Sequence, residues 1–205
     1  MSCSGCGKAL LLLTVGCGDP LVGADYPGEA LFTVGGLVRY ADTGPDTSQA
    51  LRATVLWADV STEGGEYELP VTTTTSFPGL YTITLYGPPA DELLLSLPMG
   101  DTRLAFGAIV LHEDLDGTDD LDQGLEQLVG GTDSVYVLYL TEDLEPEPGE
   151  SGTALSAGFT AVSMPDDTCD LRPTQLTPVD PLQVDLYVTG TTPTRPGDGC
   201  APPPT

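Results

Sequence analysis

The chain has 205 residues, of which 31 are acidic and only 6 basic, giving a formal net charge of −25. That length allows one domain with a real core, or two small ones. A surface this anionic repels phosphate backbones and anionic lipid headgroups alike, which excludes nucleic acid as a partner.

The first segment reads as an export signal. Lys8 supplies a positive start and Ala9 to Val15 a short apolar run. Seven apolar residues cannot span a bilayer core, which needs roughly twenty. No later run comes close to that length, so no transmembrane helix is expected.

Thr14 to Cys17 reads TVGC. This resembles the lipobox of bacterial lipoproteins, in which a small residue precedes an invariant cysteine. Thr14 departs from the pattern, which prefers an aliphatic residue there. The resemblance implies a signal peptide over 1–16 and an acylated Cys17 as the mature N-terminus, leaving five arginines as the only cations. At about 0.8 kcal/mol per buried methylene, two or more acyl chains hold a protein on a membrane where one is marginal. Gly18 stands where, in this family, an aspartate retains the protein in the inner membrane. The expected location is therefore the cell envelope, lipid-anchored, with the outer membrane ahead of the inner. An ordinary secretory signal cut nearby is the alternative.

Residues 17–29 form a tether, and from there the apolar pattern favours strands. Segment 30–40, ALFTVGGLVRY, is rich in β-formers, with Gly35 and Gly36 expected at a bulge. Segment 51–60 alternates Leu51, Ala53, Val55 and Trp57 against more polar neighbours, the period of a half-buried strand. Segment 67–73 carries Pro70, which fits an edge. Segment 79–87 alternates Tyr81, Ile83 and Leu85 against Thr82, Thr84 and Tyr86. Its surroundings, FPGLYTITLYGPP, resemble part of transthyretin-like and carboxypeptidase-regulatory-like modules over about a dozen residues.

Segment 103–112 is almost continuously apolar, as a central strand buried on both faces would be. Segments 134–141, 154–164 and 182–190 read as further strands, and 119–131 as a helical turn carrying Leu121, Leu125 and Leu128. About eight or nine strands with little helix predict an all-β fold, an antiparallel β-sandwich of immunoglobulin-like or transthyretin-like type over 30–190. Residues 191–205 form a Pro-rich tail. Cys3 and Cys6 leave with the signal, so Cys169 and Cys200 remain as one pair in an oxidising compartment. Their disulfide would contribute about 3–4 kcal/mol in the chain-entropy model and fasten the tail to the body.

Residues 112–122, HEDLDGTDDLD, place six carboxylates in eleven positions. Aligning Gly117 with the turn glycine of a D-x-D-x-D-G calcium loop makes Asp114, Asp116, Thr118 and Asp120 the candidate ligands of a Ca2+ ion. The resemblance to an EF-hand-type loop is partial. His112 takes the place of the first aspartate, and imidazole suits a hard cation poorly. Gln123 stands where a bidentate glutamate would close the site. A solvated acidic turn, with Gly117 present for its backbone freedom, is the other reading.

Catalytic constellations are hard to assemble. His112 is the only histidine, and the mature chain has no lysine for a phosphate loop. Ser156 in ALSAG half-resembles a nucleophile elbow, but Ala154 replaces the first glycine and His112 precedes the serine. Ser156 is therefore expected in a strand. Trp57, Tyr81 and Tyr86 could line a binding face, although aromatics on alternating strands usually belong to a core. The expected function is an exported, lipid-anchored envelope protein with a structural or interaction role and no catalytic site, with calcium as a candidate stabilising ion. Its partners would be the membrane through Cys17 and a protein or glycan. The alternative is a lipid-anchored hydrolase or carbohydrate-binding accessory module.

Overall fold

The computed structural model describes residues 28–40, 50–57, 72–74, 79–97, 101–115, 128–146, 148, 151–164 and 175–189. They are all-β, with ten strands and two short 3-10 turns. The strands are β1 Phe32–Tyr40, β2 Ala50–Trp57, β3 Thr72–Thr74, β4 Gly79–Leu85, β5 Leu95–Ser96, β6 Arg103–Asp114, β7 Leu128–Leu140, β8 Gly158–Ser163, β9 Thr177–Pro178 and β10 Leu186–Val188. The turns are Asp91–Leu93 and Pro181–Gln183.

All ten strands belong to one hydrogen-bonded sheet with the path β2-β6-β7-β10-β1-β4-β3, from which β5 and the β8–β9 pair branch. Strands on both sides of Pro88-Pro89 thus share the same sheet. The sheet curls until its two ends meet, β2 lying against β3 and β4. One pairing departs from the antiparallel expectation: Val38–Tyr40 run parallel to Leu186–Val188. Pro70, expected at an edge, lies outside the described residues, among which β3 ends the path.

The curl encloses the main core. Val34, Val55, Ile83, Leu85, Ile109, Leu111, Val137 and Leu186 point into it and are buried. Fully burying each such side chain stabilises the fold by about 1.5–3 kcal/mol. β6 and β7 are also buried on the opposite face, where Leu104, Tyr136, Leu138 and Leu140 pack against Leu155 and Leu176. The unbroken apolar run of β6 is therefore the imprint of two cores on one strand.

β7 is where the sheet forks. Gly130 and Gly131 pair with β10, whereas Val135–Leu140 pair with β8. Between the two halves the register on β6 slips: Val110 faces Gly131 but Ala108 faces Tyr136. The extra residues form a bulge tied by Thr132, whose Oγ1 accepts from the N–H of Ser134 at 3.3 Å and of Val135 at 2.9 Å. The branch carrying β8 is pinned back by aromatic contact. Phe159 lies 4.9 Å from Tyr139, 5.7 Å from Phe32 and 6.1 Å from Trp57, joining β8 to β7, β1 and β2.

Three local expectations need correction. Gly35 and Gly36 form no bulge, because β1 stays in register with β4 from Phe32↔Leu85 to Val38↔Gly79. They are glycines because backbone approaches closely: a Cβ on Gly36 would sit 2.1 Å from the Val184 carbonyl oxygen, and one on Gly35 2.8 Å from that of Tyr81. Leu128–Gly131, expected to end a helical turn, belong to β7, while 119–127 lie outside the described residues. Finally, Ser156 is not in a strand; β8 begins at Gly158, and Ser156 is exposed just before it.

Candidate functional site

The polar chemistry of the described body concentrates on the outer side of the β2–β6 ladder. Arg52 faces His112 directly across the ladder, and Ala50 faces Asp114. Residues two apart on a strand share a face, so Arg52 and Thr54 on β2 lie beside Val110, His112 and Asp114 on β6. Arg52 Nε donates to Asp114 Oδ2 at 2.8 Å. The Asp114 side chain is 2% exposed and that of Arg52 23%, which makes this a largely desolvated ion pair. His112 is fully buried, with Nδ1 3.3 Å from the Glu113 carbonyl oxygen. Thr54 Oγ1 is buried with no hydrogen-bond partner among the described residues.

This geometry bears on calcium. Of the four candidate ligands, Asp114 is described, whereas Asp116, Thr118 and Asp120 lie outside the described residues. Asp114 is a poor fit for a cation ligand. One of its oxygens already accepts from a guanidinium, and a divalent ion there would be set close to a cation in a desolvated place. Among the described residues, no group of three or more His, Cys, Asp or Glu side chains is arranged to hold a metal. Cys17, Cys169 and Cys200 also lie outside the described residues.

The other candidates are widely separated. Gly158 pairs with Leu140, which pairs with Leu104, so Ser156 belongs to the Leu104 end of β6. His112 lies eight residues farther along that strand, about 25 Å away at strand rise. No serine–histidine couple can form between them. Trp57 and Tyr81 are core residues, whereas Tyr86 is exposed. Tyr81 acts as a strand clamp: its hydroxyl donates to the Val184 carbonyl oxygen at 2.7 Å. Burial, assisted by the nearby Asp185 carboxylate, pushes the phenol pKa far above its ordinary value, so it remains a neutral donor.

The remaining described arginines are likewise engaged. Arg39 Nε contacts Asp185 Oδ2 at 2.8 Å, and Arg103 Nη2 contacts Asp91 Oδ1 at 3.3 Å. Asp185 also accepts from the Leu37 N–H at 3.1 Å, tying the approach to β10 onto β1. These partners stand far apart in the chain, so sequence reasoning missed them. The one available signal was the scarcity of cations, which obliges each arginine to choose among many acids.

No known protein family, curated protein or solved structure matches this chain. Among the described residues no helix is long and apolar enough to cross a membrane.

Proposed function

We propose that this chain is an exported, lipid-anchored protein of the cell envelope, whose β-body acts by presenting a surface to a protein or glycan rather than by turning over a substrate. The observation that carries the reading is how the body uses its charges. Arg52 holds β2 to β6 through Asp114, Arg39 ties the approach to β10 onto β1 through Asp185, Arg103 meets Asp91 of the first 3-10 turn, and the Tyr81 hydroxyl is spent on Val184. Side chains committed in this way fix a scaffold. The anchor rests on the lipobox-like TVGC ending at Cys17, and the outer membrane is favoured by Gly18. On the same reading Cys169 and Cys200 form a disulfide that holds the tail. A calcium ion, if it belongs to the acidic loop, is structural and rests on Asp116, Thr118 and Asp120 rather than on Asp114.

Fractionation of expressing cells tests the anchor. Wild-type protein should travel with membranes and be released by detergent, while Cys17→Ala should remain with soluble material. Equal partition of the two would remove the anchor from the account.

A further inference from the structure

We propose that the outer face of β1 and β4 is a self-docking surface through which two copies of this chain pair about a two-fold axis. The inference is independent of the lipid anchor.

Stretches 30–40 and 79–90 contain no Asp or Glu, in a chain where 31 of 205 residues are acidic. They supply β1, β4 and the residues just beyond them. With Val34, Val38, Tyr81, Ile83 and Leu85 facing the core, the alternate residues face outward. In register these are the pairs Thr33↔Thr84, Gly35↔Thr82 and Leu37↔Leu80. The same register brings Leu31 opposite Tyr86, with the Leu31 N–H donating to the Leu85 carbonyl oxygen. Across the other edge of β1, Tyr187 stands beside Arg39.

Five of the eight exposed large apolar residues among the described ones fall on this face: Leu31, Leu37, Leu80, Tyr86 and Tyr187. Leu80 is 64% exposed and Leu31 56%. At about 200 Å² for each large residue, their open surface amounts to roughly 470 Å², within the range of the largest patch on a monomer. With Thr33, Thr82 and Thr84 the face approaches the ~600 Å² per partner at the lower end of specific interfaces.

Charge selects the occupant. A basic partner would seek carboxylates, and among the described residues the one carboxylate on this face, Asp185, is neutralised by Arg39. What remains is apolar surface, uncharged hydroxyls and one balanced ion pair. That combination complements itself, as a two-fold interface requires. For two molecules with a formal charge of −25 each, it is also where approach costs least repulsion.

Sedimentation equilibrium on the full chain carrying Cys17→Ser, which leaves no acyl group to gather copies in micelles, tests this. A monomer–dimer equilibrium is expected that strengthens as salt rises, because screening relieves repulsion between like-charged copies. Leu80→Asp and Leu31→Asp should each weaken the dimer about 100-fold by burying a carboxylate at the contact. Leu115→Asp, an exposed leucine beyond the end of β6, should leave it unchanged. A monomer at every concentration, a dimer that salt weakens, or a dimer indifferent to both face variants would overturn the proposal.

Discussion

Gly36→Ala is expected to destabilise the protein by about 3–5 kcal/mol. The added Cβ would lie 2.1 Å from the carbonyl oxygen of Val184 and 2.6 Å from its carbonyl carbon, so backbone must move. The same peptide segment accepts the Tyr81 hydroxyl at 2.7 Å and donates to the Gly35 carbonyl oxygen at 3.0 Å. Displacing it sacrifices two hydrogen bonds, each worth about 1 kcal/mol net. It also unseats Val184, a buried side chain worth about 1.5–3 kcal/mol. Against a total stability of about 5–15 kcal/mol, that is a large fraction. Gly87→Ala is the matched control, because a Cβ there meets nothing within 4 Å. Urea unfolding of the two variants should show a large fall in midpoint for the first and almost none for the second. Equal midpoints would mean that β10 does not approach β1 at Gly36.

Asp114→Ala should cost about 3 kcal/mol, and the cost should be the same in calcium and in chelator. The mutation deprives a guanidinium only 23% exposed of the carboxylate 2.8 Å away. Breaking a buried pair on one side typically costs about 3–5 kcal/mol, and partial exposure of Arg52 places this one at the low end. Replacing both partners by apolar residues, Arg52→Leu with Asp114→Leu, should recover part of the loss, since the desolvated pair is then removed as a unit. The test of a calcium-stabilised loop therefore belongs to an Asp116→Ala, Asp120→Ala variant, not to Asp114. Thermal unfolding with and without chelator separates the cases. An Asp114→Ala penalty that appears only in calcium would make Asp114 a ligand.

The strands were legible because period-two alternation is a local signal. Tyr81, Ile83 and Leu85 announced β4 and its buried face, and the continuous run from Leu104 to Leu111 announced a strand between two cores. Glycine was harder to read. Its absent side chain marks a bulge, a turn or a close approach equally well, and only the neighbouring backbone of Val184 decides among them for Gly36. The bulge that does exist, at Thr132 and Ser134, was not legible in the sequence, where the strand is expected to begin only at Ser134. Leu128 misled because it stands at helical spacing from Leu121 and Leu125 yet belongs to β7. The charge pairs were not legible at all: Arg52 and Asp114 are 62 residues apart, and only the β2–β6 register brings them together. The acid-free stretches, by contrast, could be read directly from the sequence once their strands were known to be neighbours.

The most direct test of the proposed envelope anchor is the mass of the mature N-terminal peptide from native membranes. A peptide beginning at Cys17 and heavier by a diacylglyceryl group, with or without a further acyl chain, is the expected result. An unmodified peptide beginning at another residue, or one retaining residues 1–16, would contradict it.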